Sequence, residues 1–261
     1  MSISVHLIGR TQFCVEEYLS FLRSQKASWR RSRQVTQAEE IVEAAGRVCY
    51  MSFGKAQSPR TNAEYIQNLI QMGHESVLEH VNWTFLLTGI SRACTHQLVR
   101  HRVGFSFSQL SQQYHDEIDA EFIEPSALNL SPDAQIVWKK AVKTAKAAYC
   151  KIMQSLKQLE DKVGKDLNKM ELRRAIRSIA RSILPNATET KIVMTANARA
   201  LRYFLKTRGS IPGDEEMRRM ASELLKQLQK DAPSIFSDFR INMLSDGSPI
   251  VTWHKLVEMT K

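Results

Sequence analysis

From Ser131-Pro132-Asp133 onward, the apolar residues Trp138, Val142, Ala145, Tyr149, Ile152, Leu156 and Leu159 recur at helical spacing. Proline suits the first turn of a helix, where its missing N–H costs nothing, and a preceding serine caps the orphan amides. The fold must therefore house one long helix and give its single apolar stripe a surface to cover. The lysines lying between these positions fit a solvated face better than a nucleic-acid footprint. A further helix starts at about Met170 and ends before Pro185.

Shorter elements complete a mixed pattern. Val5 to Ile8 predicts a first strand, whereas residues 24–35, with Trp29-Arg30-Arg31-Ser32-Arg33, have no period and read as a loop. Thr36-x-x-Glu39 and Thr61-x-x-Glu64 are capping boxes that open amphipathic helices. The second helix carries Ile66, Leu69 and Ile70 on one face and stops at Gly73. Asn82 to Ile90, rich in Trp, Thr, Phe and Leu, predicts a strand, after which Ser91 caps a short helix. Lys191 to Thr195 predicts another strand, Asn197 to Arg208 a helix, and Asp214 to Lys230 a helix that stops before Pro233. No repeat, low-complexity tract or linker interrupts this order. The expectation is one α+β domain over residues 1–261, with 240–261 as a C-terminal extension.

Charge and cysteine usage narrow the class. With 37 basic and 27 acidic residues the net charge is +10, so anionic partners are favoured, nucleotides and nucleic acid alike. Cys14, Cys49, Cys94 and Cys150 form no C-x-x-C pair and no ligand cluster with histidine, and read as buried thiols of a reducing compartment. Arg10 interrupts the N-terminal apolar stretch too early for a signal peptide. No apolar run approaches the roughly 20 residues of a membrane span. A cytoplasmic protein without membrane contact is expected.

Three clusters carry chemistry. Gln97-Leu98-Val99-Arg100-His101-Arg102 runs into Ser106-Phe107-Ser108-Gln109-Leu110-Ser111-Gln112-Gln113-Tyr114. Guanidinium forks match phosphate oxygens and amides read ring edges, so this density of donors suits a phosphate-bearing heterocycle. A solvated basic turn is the other reading. Gly73-His74-Glu75-Ser76-Val77-Leu78-Glu79-His80 offers metal-ligand types but lacks an i, i+4 pairing on one helical face, which favours a polar loop touching a cofactor over a metal site. In Asn197 to Arg208, helical spacing puts Leu201, Phe204, Leu205 and Arg208 on one face. Arg208 then either enters a cleft, where it needs an anionic or hydrogen-bonding partner, or reaches solvent at the helix end. Cys94 has only His96 nearby in sequence, on a different helical face, and reads as packing rather than as a nucleophile.

Together the clusters resemble the flavin-dependent thymidylate synthase family, whose signature is Arg-His-Arg, a short gap and Ser. Here it reads Arg100-His101-Arg102, eight residues, then Ser111, with Tyr114 closing the motif. Gly73-His74-Glu75-Ser76 with Glu79-His80, Ser91-Arg92-Ala93, Arg181 before Leu184-Pro185, and Asn197-Ala198-Arg199 with Arg208 extend the match. The resemblance implies an α+β fold of mixed helices around an antiparallel sheet, and a homotetramer with shared active sites. It implies conversion of dUMP to dTMP, with 5,10-methylenetetrahydrofolate as carbon donor and FAD, reduced by NADPH, as hydride carrier. It assigns Ser76, Arg100, His101, Arg102, Gln109, Asn197, Arg199 and Tyr203 to FAD. Gln97, Leu98, Val99, Arg100, Gln109, Leu110, Ser111, Gln112, Gln113, Arg181 and Arg208 fall to the nucleotide, with Arg208 the catalytic cation and no metal. The chain departs from the common pattern in its gap, one residue longer, in Gln113, where many members carry arginine, and in Tyr203, where some carry asparagine. A relative methylating UMP would share these motifs. A basic nucleic-acid-binding module without catalysis, stacking bases on Phe105 and Phe107, is the rival from another class.

Overall fold

The computed structural model describes residues 2–158 and 168–254, which leaves Leu159 and residues 255–261 outside the described part. The chain forms two compact units. Among the described residues, unit I comprises Ser2, Leu87–Arg100 and Ser108–Ile192; unit II comprises Ile3–Leu86, His101–Phe107 and the described chain from Val193 onward.

The strands are β1 (Ser4–Arg10), β2 (Asn82–Ser91), β3 (Phe105–Gln109) and β4 (Glu189–Asn197), hydrogen-bonded in the order β1-β2-β4-β3. Bonds just beyond the strand ends set their sense. Thr11 N–H donates to Asn82 O, Arg92 N–H to Thr188 O, Ala198 N–H to Val81 O and Leu110 N–H to Lys191 O. Each strand end meets a neighbour's beginning, so the sheet is antiparallel. β1 and β4 extend beyond the sequence expectation, and β3 lies in a stretch read only as polar motif.

Unit II takes its helices from the predicted caps. Thr36 opens α2 (Gln37–Tyr50) and Thr61 opens α3 (Asn62–Gln71), each with both arms of the capping box formed. At the end of α3, Gly73 N–H donates to Ile70 O and His74 N–H to Leu69 O, with Gly73 at φ +72°. This Schellman stop needs a left-handed residue, which glycine supplies at no steric cost. The unit also holds α1 (Val15–Ser24), to which the sequence reading assigned no element. Its core gathers Ile66, Leu78, Trp83, Phe85 and Phe236, all fully buried. Two helices follow β4 and the turn after it: α7 (Ala198–Arg208), capped by Asn197, and α8 (Glu215–Asp231), capped by Asp214. Arg202 of α7 is buried and reaches Asp238 through two bonds of 2.7 Å, with Phe239 5.1 Å below its guanidinium. The expected extension, 240–261, begins inside a hairpin of β5 (Phe239–Met243) and β6 (Pro249–Trp253), paired from Phe239↔Trp253 to Met243↔Pro249.

Unit I contains α4 (Arg92–Leu98), the long α5 (Pro132–Lys157) and α6 (Lys169–Ala180). α5 and α6 pack through Tyr149, Met153, Leu172, Ile176 and Ala180. The predicted stripe is the shielded side of α5, although only Tyr149 and Met153 are fully buried. Tyr149 also ties the loop after β3 to this pair: its hydroxyl donates to Asp116 Oδ1 at 3.0 Å and accepts from Glu117 N–H at 3.1 Å.

The cysteine expectation needs correction. Cys94 is buried, but Cys14 and Cys49 are exposed and Cys150 is half-buried. Cys14 stands just before α1, and Cys49 lies in the last turn of α2, where the helix has left the core.

Candidate active site

In unit II the decisive geometry joins the loop after α4 to the end of α7. Leu201, Phe204 and Leu205 are fully buried, and Arg208, one turn on, is half-buried. Its Nε donates to His101 Nε2 at 3.0 Å. The arginine therefore takes neither sequence reading in pure form: it stops short of bulk solvent and finds a neutral acceptor. An Arg N–H can only donate, so His101 must offer a lone pair at Nε2 and carry its proton on Nδ1. Burial, and then the Arg208 charge, hold the imidazole below its ordinary pKa, which favours that neutral form. Its ring sits 5.2 Å from Phe204, 5.8 Å from Phe105 and 6.3 Å from Tyr203. Phe105 in turn stacks on Phe107 at 5.6 Å, so both rings already have aromatic partners.

The same loop meets the start of α7. Gly104 sits at φ +73°, and a Cβ there would lie 2.7 Å from Asn197 Nδ2 and 2.8 Å from Ala200 Cβ. Asn197 Oδ1 accepts from Ala200 N–H at 2.8 Å, the cap that aims α7. Arg199, exposed in the first turn, donates to Glu79 at 2.6 Å with Glu75 3.8 Å away. Those two carboxylates flank Ser76 on a short turn anchored by buried Val77 and Leu78. Val103 is 92% exposed and Tyr203 62%. Cationic and amide donors beside uncovered apolar surface fit a cofactor with a pyrophosphate and a planar ring system, such as FAD.

In unit I the polar run after β3 lies by two arginines. Arg92, first residue of α4, has its pKa lowered by burial and by the Arg181 charge, against an opposing effect of Glu117. The pull of Glu117 on Arg92 outweighs the push from Arg181, so this carboxylate is the anion already facing the pair. Burial pushes the Glu117 carboxyl up against the pull of His115 and Arg92. Gln113 Nε2 donates to Ser178 Oγ of α6 at 3.3 Å, and Arg177 donates to Tyr114 O at 2.9 Å. Gln109 Nε2 donates to the hydroxyls of buried Thr95 and Thr190 at 2.9 and 3.3 Å, which leaves its carbonyl oxygen as the group open to a ligand.

The expected residues thus divide. Ser76, His101, Arg102, Asn197, Arg199, Tyr203 and Arg208 belong to unit II; Gln97, Leu98, Val99, Arg100, Gln109, Leu110, Ser111, Gln112, Gln113 and Arg181 belong to unit I. His101, Tyr203 and Arg208 come into contact. Arg100 and Arg102 are exposed and form no ion pair among the described residues. Leu98 is fully buried, so only its backbone can meet a nucleotide. Arg92 belongs to the Ser91-Arg92-Ala93 motif but not to the expected site, and its sequence signal is a charge one residue after the cap Ser91.

The family model described as thymidylate synthase complementing protein matches residues 33–234. A flavin-dependent thymidylate synthase of Mycolicibacterium gilvum is 41% identical over 252 residues, covering 96% of this chain and 95% of its own length. Proteins of the same name from Mycolicibacterium vanbaalenii and Mycobacterium tuberculosis are 45% and 44% identical, each covering 81% of this chain and 84% of their own lengths.

Proposed function

Because this chain belongs to the flavin-dependent thymidylate synthase family, we propose that it methylates C5 of dUMP with FAD, NADPH and 5,10-methylenetetrahydrofolate. The observation that carries the reading is the Arg208–His101 pair: a half-buried guanidinium held in place with its terminal N–H groups uncommitted among the described residues.

The chain's own residues have definable tasks. Arg92 and Arg181, which repel each other, would share the nucleotide phosphate, with Ser111, Gln112 and Gln113 as hydrogen-bonding partners. Arg208 would face the pyrimidine and stabilise negative charge as it develops on the activated ring, a fixed cation needing no reorganisation. Ser76, Asn197, Arg199, Arg102 and Arg100 would hold FAD, with Tyr203 and Val103 lending apolar surface. Bound and reduced by NADPH, the flavin supplies the hydride. The scheme needs no cysteine nucleophile, and buried Cys94 fits a packing role.

A homotetramer with shared active sites is part of the proposal, and light scattering checks it. The function itself is tested by adding FAD, NADPH, methylenetetrahydrofolate and dUMP to the purified protein. A flavin absorbance band stoichiometric with subunits, and dTMP by mass spectrometry, are expected. Well-folded protein that neither binds flavin nor forms dTMP would sink the reading.

A further inference from the structure

We propose that His101 is the positioning residue of Arg208, and that it can do this work only as the neutral imidazole. This extends to a second residue the assignment of Arg208 made above, and rests on it.

The backbone at Arg208 is already fixed. Gly209 N–H donates to Leu205 O, and Val251 N–H donates to Gly209 O at 2.8 Å. A Cβ on Gly209 would lie 2.6 Å from Val251 Cβ, so β6 presses directly on the end of α7. The side chain is another matter, because an arginine carries four rotatable bonds beyond its Cα and is costly to order. Among the described residues one hydrogen bond orders it, Nε to His101 Nε2. Engaging Nε leaves the Nη1 and Nη2 groups as a planar fork whose direction is set by the imidazole.

His101 is suited to this because it cannot drift. Phe204 meets it edge-on at 80°, with Tyr203 at 62° and Phe105 at 52°. The groups facing it from packed elements are Arg208 and the Tyr203 phenol on α7, while β3 presents only the Phe105 ring. No carboxylate pairs with it among the described residues. A proton at Nε2 would convert the acceptor into a donor facing a donor and set two cations against each other. The guanidinium would then swing away, and substrate activation would stop while the fold persisted.

The test separates this pairing from the enzyme assignment. In cofactor-free protein carrying 13Cε1-histidine, the His101 resonance is identified by its absence from His101→Gln. Its titration should fall below the ordinary value of about 6.5. It should move upward in Arg208→Leu, which removes both the cation and the donor. An unchanged His101 titration in Arg208→Leu overturns the pairing, whatever reaction the protein performs.

Turnover, measured at saturating FAD, supplies the second arm. In wild type kcat should fall on the acid side as His101 titrates. His101→Gln places an oxygen where Nε2 accepts and cannot titrate there. It should retain at least about tenfold more kcat at neutral pH than His101→Leu and lose the acid limb. His101→Leu should lose kcat by tenfold or more with its melting temperature retained. Equal loss in the glutamine and leucine variants, or an acid limb that survives in His101→Gln, refutes the positioning role.

Discussion

Arg199 of α7 donates through Nη1 to Glu79 Oε1 at 2.6 Å, with Glu75 Oε2 3.8 Å from its Nε. A guanidinium expected to hold an anionic cofactor is therefore already neutralised by two carboxylates from the Ser76 turn. On the proposed assignment, FAD would compete with them for Arg199. Glu79→Gln should tighten FAD binding by up to about fivefold at low salt, since exposed pairs of this kind are weak. The gain should shrink as ionic strength rises. Fluorescence quenching of the flavin reads both, and weaker binding in the variant would contradict the competition.

Gln113 stands where a cation would serve the nucleotide phosphate, and its amide reaches Ser178 at 3.3 Å. Gln113→Arg should tighten dUMP binding by up to about tenfold, the size of one added charge-assisted hydrogen bond. Deoxyuridine, which lacks the phosphate, should bind no better. Calorimetry with both ligands decides it: an equal gain for deoxyuridine, or none for dUMP, removes Gln113 from the phosphate.

Gly104→Ala should destabilise unit II. Its φ of +73° disfavours a Cβ, and the new methyl would displace the Asn197 amide and so loosen the α7 cap. Strain and cap together amount to roughly 2–3 kcal/mol. Urea unfolding should register that loss, and FAD affinity should drop with the displaced Asn197. A midpoint within experimental scatter of wild type would show that the loop yields without disturbing α7.

What the sequence made legible was local. The Thr36 and Thr61 boxes form as read, because a helix start is decided by side chains three residues apart. Ser91 and Ser131 cap their helices for the same reason, whereas Asn197, expected as the first helical residue, is the cap of α7. The polar content of β3 masks its two-residue period: Phe105, Phe107 and Gln109 are shielded while Ser106 and Ser108 are exposed. The hairpin over 239–253 also had a signal, Asp246-Gly247, with Gly247 at φ +75° between two short apolar runs. In the site, spacing brought Arg208 to the rim of the apolar face of α7 but could not supply its partner. His101 lies 107 residues away, and such a contact is set by the tertiary path of the chain. The electrostatic coupling of Arg92 to Arg181 is set by the tertiary path in the same way.

Tritium release from C5 of labelled dUMP tests the central claim most directly, because only activation and substitution at that carbon produces it. Purified protein supplied with FAD, NADPH and methylenetetrahydrofolate should release tritium from dUMP faster than from labelled UMP run beside it. Arg208→Ala should lower that release by about a hundredfold while still binding FAD, the order expected when one preorganised cation is removed. No release from either nucleotide, faster release from UMP, or near-normal release by Arg208→Ala would contradict the account.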